Sequence, residues 1–284
     1  MLKVVRQVRS GVAMLNPAGV RRLATRPVHI GLVAGAPPAY AEMEDFLVPA
    51  SVSHERRLEL VEYLHRASDE DGSQQPDLVL FDSALACPRN CFIFDRRDPG
   101  RVIGEILRER EDMALPLARM FPPFRKPVVD GIIHSVSREN ALFALATALP
   151  NIVPTLIELP WVISEFASDT AFLTMNQIRM AFMIAAACGA PVGLAEQKTQ
   201  VASILAAAFG WRTVARELAG RVPLGSGLIP KAAIAFAGTY AIGKGLDHLH
   251  RVGRNHTAAE RRAAFNHGLE QGKNLAKGAV EASR

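Results

Sequence analysis

Residues with obvious chemical potential are few and scattered along the 284-residue chain. Gly31-Leu-Val-Ala-Gly35 runs into Ala36-Pro37-Pro38-Ala39-Tyr40 after an apolar run, the place where a phosphate-cradling loop would stand. Such a loop needs inward backbone N–H groups, a lysine for the outer phosphates and a hydroxyl for magnesium. Two prolines without N–H groups, and no following Lys-Ser or Lys-Thr, exclude it here. Asp82 and Asp95 each close a short apolar run, and Asp82 stands where a metal-facing aspartate would sit. With no phosphate loop to bring a cation, Asp82 is expected to serve a turn or a helix cap. Cys87 and Cys91 form a lone C-x3-C. Zinc would need two further ligands at a recognisable spacing, so a reduced structural pair is expected. Gly238-Thr-Tyr-Ala-Ile-Gly243-Lys244-Gly245 imitates a phosphate loop, but glycine replaces the hydroxyl residue and the preceding stretch is alanine-rich and helix-forming. Asp247-His248-Leu249-His250 holds an H-x-H whose histidines, two apart on a helix, do not share a face. No catalytic residue, metal ligand or cofactor is assigned. The reading is not an enzyme.

The elements that would position these residues change character along the chain. From 28 onward, short apolar runs at 28–34, 78–81, 91–94 and 127–134 read as strands, with helix-like stretches at 39–47, 53–67 and 100–113 and a loop at 69–75. Strands alternating with helices of this size predict a parallel sheet with covered faces. Beyond 141 the pattern becomes helical and apolar. The expectation is therefore an α/β region followed by an all-α one: a small parallel-sheet domain, then a compact apolar helical bundle.

Charge divides the chain along similar lines. Residues 1–27 carry Lys3, Arg6, Arg9, Arg21, Arg22 and Arg26 and no acid, whereas 28–140 carry 13 basic and 19 acidic residues. Only 12 charged residues occur across 141–246. The overall charge of +5 is thus a sum of local imbalances, and with 6% aromatic residues there is no basic, aromatic-laced surface for nucleic acid. Leu2, Val5, Val8, Val12 and Leu15 recur at helical spacing beside Lys3, Arg6 and Arg9. A basic amphipathic helix of this kind suits an anionic membrane surface, an acid-poor transit peptide, or packing on its own domain. Three cysteines are too few for a disulfide scaffold, and no apolar stretch of secretory length follows the basic start.

Residues 141–163 and 170–188 contain one charge each, Glu158 and Arg179. Prolines 150, 154 and 160 interrupt the first stretch; Asn176, Gln177 and Arg179 sit at the centre of the second. A lipid-facing helix rarely tolerates that polar centre, but a buried bundle helix does, provided Arg179 finds Asp169 or Glu165. Ala233, Ala237, Ala241 and Gly245 recur every four residues as a small-residue ridge that admits a second helix at close range. Helices are expected at 194–208 and 211–219, with a glycine- and proline-bearing loop over 220–230. A charged helix near 257–280 reads as exposed.

Met175-Asn-Gln-Ile-Arg-Met180 through Ala185-Ala-Ala-Cys-Gly189, then Gly210-Trp211-Arg212-Thr-Val-Ala-Arg216, resembles a bacterial GTPase-associated helical domain of unknown function. The resemblance covers about 155–250 and rests on packing motifs. It implies proximity to Era-like GTPases and carries over no functional residue. Pro76-Asp-Leu-Val-Leu-Phe-Asp82 and Ile132-Ile-His-Ser-Val-Ser137 resemble strands of an Era-like GTPase domain over about 28–149, with GKS, GKT and NKxD motifs all missing. This implies a pseudo-GTPase. The organisation read from sequence is a basic helix and linker (1–27), a degenerate GTPase-like α/β domain (28–149), a GTPase-associated helical domain (150–250) and a charged C-terminal helix (251–284). Lys3, Arg6, Arg9, Arg21 and Arg22 are the membrane-surface candidates. Asp169, Asn176, Gln177, Arg179, Ala233, Ala237, Ala241 and Gly245 are the helix-packing or partner candidates. The expected partners are a GTPase or a second copy of the chain, and an anionic membrane on the cytoplasmic side of a bacterial inner membrane. The chain would be held there peripherally, as an adaptor, or integrally, through helical hairpins acting in envelope maintenance or remodelling.

Overall fold

The computed structural model describes residues 17–66, 75–87, 91–147, 169–206 and 228–281. They divide into two compact units. One holds Arg21–Val129 with Ala186–Ala190; the other holds the described residues of Asp130–Ala185 and Pro191–Arg284, with 17–20.

The first unit is built on a sheet of β1 (Ile30–Val33), β2 (Leu64–Arg66), β3 (Leu78–Asp82) and β4 (Phe92–Phe94), all parallel in the order β2-β1-β3-β4. Ile30 lies opposite Leu64 on one side and Leu78 on the other, and Leu80 lies opposite Phe92. Helices α1 (Pro17–Ala24), α2 (Pro37–Leu47), α3 (His54–Val61), α4 (Pro99–Glu109) and α5 (Ala114–Met120) accompany the strands. Ile30, Leu32 and Leu80 are fully buried, as are Met43, Leu47, Leu60, Ile106 and Leu117 from the helices. This shared apolar face is what makes strand and helix mutually necessary. The outward face is less covered than the sequence predicts: in β4, Phe92 and Phe94 are buried but Ile93 is 46% exposed.

Two of the expected elements are corrected. The helix expected at 53–67 ends at Val61, and Leu64–Arg66 leaves it as strand β2, because Ile30 N–H donates to Tyr63 O (2.9 Å) and draws this segment onto β1. The strand expected at 127–134 lies within a helix, α6 (Pro122–Ala146). Val129, Ile133, Val136, Asn140 and Ala144 are buried at spacings of three and four, so packing of a helical face overrides the β-branched composition. Pro127 sits inside this helix and removes one donor from its ladder.

The second unit contains most of α6 with α7 (Asp169–Ala187), helical residues 198–206, α8 (Leu228–Val252) and α9 (Ala258–Glu281). The helix expected at 211–219, most of the loop expected before α8, and the apolar stretch at 148–163 lie outside the described residues. Pro230, read as loop, stands in the first turn of α8.

α8 and α9 form a tightly packed hairpin. Gly253 ends α8 with φ 78°, a left-handed conformation that favours glycine, and its N–H donates to Leu249 O at 2.9 Å. Thr257 starts α9 with a reciprocal cap: Glu260 N–H donates to Thr257 Oγ1 (3.2 Å) and Thr257 N–H to Glu260 Oε2 (2.7 Å). Arg254 adds two hydrogen bonds to the Glu260 carboxylate, at 2.7 and 2.8 Å. These contacts, led by Arg254, hold the Glu260 carboxyl far below the usual range. The cap is complete at neutral pH and is lost as pH falls below the ordinary carboxyl range.

The expectation of an exposed C-terminal helix is corrected along one face. Gly268, Gly272 and Ala276, four apart, are buried in α9. A Cβ on Gly272 would stand 2.9 Å from Ala233 Cα and 2.8 Å from Phe236 Cβ, and one on Gly268 would stand 3.1 Å from Ala237 Cα. Glycine is required where one backbone approaches another this closely. Gly278, in the same helix, faces open space. Gly272→Ala is expected to destabilise the chain by roughly 1–3 kcal/mol through overpacking. Gly278→Ala should stabilise it by about 0.5–1 kcal/mol through helix propensity. Denaturant unfolding of the two full-length variants checks this opposition of sign.

Candidate functional site

Ligand chemistry in an open parallel sheet is expected outside the carboxyl ends of the strands, where the strand order reverses. In the order β2-β1-β3-β4 that point lies between β1 and β3. Here α2 follows β1, and its N-terminus would ordinarily offer free N–H groups to an anion. Its first two residues are Pro37 and Pro38, and the third, Ala39, donates its N–H to Ala36 O at 3.1 Å. From the β3 side, Leu85 turns toward the same place: a Cβ on Gly35 would meet Leu85 Cδ2 at 3.4 Å. The reversal point therefore presents an aliphatic side chain and a helix end stripped of donors.

The two aspartates at this end are engaged locally. Asp82 Oδ1 accepts from Ala84 N (3.2 Å), the short turn expected of it, and Asp95 Oδ1 accepts from Arg97 N (2.8 Å) in a second such turn. Gly31, the other glycine of the apparent motif, admits Pro76: a Cβ there would stand 3.1 Å from Pro76 Cγ. Cys87 and Cys91, expected as a structural pair, stand together with Cα atoms 6.3 Å apart, within the range a disulfide can bridge. The downstream imitation of a phosphate loop lies within α8, and Lys244 pairs with Asp130 of α6 at 2.9 Å. Among the described residues no group of three or more His, Cys, Asp and Glu side chains is placed to hold a metal.

At the opposite end of the sheet, Asp77 collects three elements. It accepts from Arg26 (2.9 Å) and from His29 N (2.9 Å), while its carbonyl accepts from Arg110 (2.7 Å). His29 Nδ1 and His65 Nε2 share a hydrogen bond of 2.8 Å. Sequence reasoning missed this cluster, since 48 residues separate His29 from Asp77 and only the parallel register brings them together. Elsewhere in this unit Arg119 donates to Ala186 O (3.3 Å) and Ala190 O (3.0 Å), the carbonyls around the C-terminus of α7. Burial, with Arg56 nearby, lowers the Arg119 pKa.

The sequence candidates converge in the second unit. Asn140 of α6 is fully buried; its Nδ2 donates to Thr239 Oγ1 of α8 (2.8 Å), and its Oδ1 accepts from Asn176 Nδ2 of α7 (2.9 Å). Gln177 Nε2 donates to the same Thr239 hydroxyl at 3.2 Å, and Thr239 donates onward to Ala235 O at 2.9 Å. One polar layer thus ties α6, α7 and α8. At its edge Arg179 pairs with Glu139 at 2.5 Å, both side chains 26% exposed. Arg179 was expected to find Asp169 or Glu165, and Glu139 takes that place. Glu165 lies outside the described residues, as does the Asp169 side chain, and only the backbone of Asp169 is placed, at the start of α7. Glu139, Asn140 and Thr239 were missed. Their signal was a polar residue on the buried face of a helix, and it could not be read without knowing which face each helix turns inward.

The small-residue ridge divides. Ala233 and Ala237 are buried against α9, whereas Ala241 and Gly245 are partly exposed. On the basic side, Arg21 and Arg22 are exposed on α1, and Lys3, Arg6 and Arg9 lie outside the described residues. Among the described residues no helix is long and apolar enough to cross a membrane. The polar layer gives the reason for α7, whose centre holds Asn176, Gln177 and Arg179 for its neighbours.

No family model, no curated protein and no solved structure matches the chain. Function must be argued from the geometry itself.

Two measurements test the layer. Asn140→Ala takes one hydrogen bond from each of the buried Asn176 and Thr239 side chains and should cost about 1–3 kcal/mol in denaturant unfolding. A double-mutant cycle on Glu139→Gln and Arg179→Gln should give a coupling of roughly 0.5–3 kcal/mol, as for residues in one hydrogen-bonded network.

Proposed function

We propose that the chain is a non-catalytic, membrane-associated adaptor or scaffold of a GTPase-linked system, in which the α/β unit is a pseudo-GTPase. The observation that carries this reading is the reversal point of the sheet. Pro37, Pro38 and the self-bonded Ala39 leave α2 with no donor for a phosphate in its first three positions, and Leu85 covers Gly35. The catalytic parts of phosphoryl transfer, a phosphate cradle with a lysine and a metal-bearing hydroxyl, have no counterpart there. What remains is a scaffold that presents surfaces.

The basic N-terminal segment supplies the membrane term. Lys3, Arg6, Arg9, Arg21 and Arg22, with no acid in 1–27, suit an anionic leaflet such as the cytoplasmic face of a bacterial inner membrane. The absence of a spanning helix among the described residues favours peripheral attachment over embedded hairpins. The helical unit is assigned to docking on a partner GTPase or on a second copy of the chain, following the family resemblance of 155–250.

Vesicle flotation and nucleotide titration test the two halves of this reading. Full-length protein should float with anionic vesicles, stay behind with zwitterionic ones, and be released by an alkaline carbonate wash. Replacing the five basic residues by glutamine should abolish flotation. Retention after the wash would show integration, and indifference to lipid charge would remove the membrane term. Titration with magnesium and GTP should give no saturable heat; saturable binding would overturn the pseudo-GTPase assignment.

A further inference from the structure

The turn between α8 and α9 holds a group of titratable side chains that none of the preceding functions uses. His248, in the penultimate turn of α8, and His256, one residue before the α9 cap, have ring centroids 4.6 Å apart. His248 Nε2 and His256 Nδ1 are both buried, and neither has a hydrogen-bond partner. The charged groups around the pair are mostly cationic. Arg254 and Arg261 flank His256, Arg261 donating to its carbonyl at 3.0 Å, and Arg251 stands one turn along α8, 3.7 Å from Asp247. Lys244 is held by Asp130 of α6. Glu260 is the acid that faces His256, and it is already bound by Arg254 and by the Thr257 cap.

We propose that the His248–His256 pair is a proton-operated latch on the α8–α9 hairpin, closed while the His256 imidazole is neutral and loosened when it takes a proton. Protonation makes both ring nitrogens donors and leaves a buried N–H with no acceptor. It also sets a positive charge against Arg254 and Arg261. Moving the ring into water relieves both penalties. That movement pulls on the residue next to Thr257, so the α9 cap and the first contacts of the hairpin loosen with it.

The direction of the pH dependence follows. Burial, with His248 second and the arginines adding to it, lowers the His256 pKa from 6.5, and burial lowers that of His250 in the same turn. The closed hairpin then binds fewer protons than the open one. Its stability is full above about pH 6.5 and falls as pH drops through that value towards the lowered one.

The test is hydrogen exchange of the full-length protein, corrected for the intrinsic pH dependence of exchange, between about pH 7.5 and 5.5. Protection of turn and early α9 amides should fall over that range, by at most about tenfold, the limit for one histidine that is kept neutral in the closed state and titrates near 6.5 in the open one. Strand β3 should be unaffected. His256→Gln should remove most of the dependence. Constant protection in the wild type, or the same fall in His256→Gln, would overturn the latch. If that variant does not fold, the imidazole signal of His256 in the wild type decides: titration below 6.5 supports the latch, and titration at or above 6.5 sinks it.

Discussion

The helical unit depends on a buried hydrogen-bonded layer more than on any apolar contact. Apolar side chains attract without direction, so α6, α7 and α8 could slide past one another at little cost in buried area. A fully buried amide cannot slide, because leaving it unpaired costs more than the pair contributes. Asn140 meets Thr239 on one side and Asn176 on the other, and Gln177 meets the same hydroxyl. Each helix therefore has one rotation and one axial position that satisfies the layer. The stacked Phe143–Phe172 pair, with centroids 3.9 Å apart, and Gly243, packed against Ile133 and Met180, fit around that choice.

A second constraint is steric. α8 serves two surfaces, presenting Thr239 and Gly243 to α6 and α7 and Ala233, Phe236 and Ala237 to α9. Alanine on α8 and glycine on α9 let the two backbones approach until a single Cβ would not fit. Dispersion between such close surfaces replaces the bulky side chains that a wider interface would need. The same small residues explain why the apolar stretch of α8 resembles a membrane segment in composition. Close packing in lipid and close packing in protein select the same residues.

The α/β unit shows that the architecture of a parallel sheet and the chemistry at its reversal point are set by different residues. Strand order and parallel pairing follow from the buried faces of β1, β3 and β4. None of that requires donors at the carboxyl ends. Two prolines and one leucine set the chemistry there without disturbing the core, since Pro37 and Pro38 occupy first-turn positions where helices accept proline.

By itself the sequence determined the local elements whose signals are local. Strands β1, β3 and β4, the α7 helix, the missing phosphate loop and the turn role of Asp82 all follow from residue type and spacing within a few positions. It also singled out Asn176, Gln177 and Arg179, because polar residues at the centre of an apolar helix need partners. Only the tertiary structure decided who those partners are. Glu139, Asn140 and Thr239 come from helices 36 to 99 residues away from the groups they meet. It also decided that 127–134 is helix, because the β-branched run there is stabilised by neighbours that a short window of sequence does not contain. It placed one face of the charged α9 in the interior, since Gly268 and Gly272 gain their meaning only when α8 lies against them. Backbone propensity and hydrogen-bonding need act within a few residues and can be read from the chain, whereas the choice of partner is a property of packing.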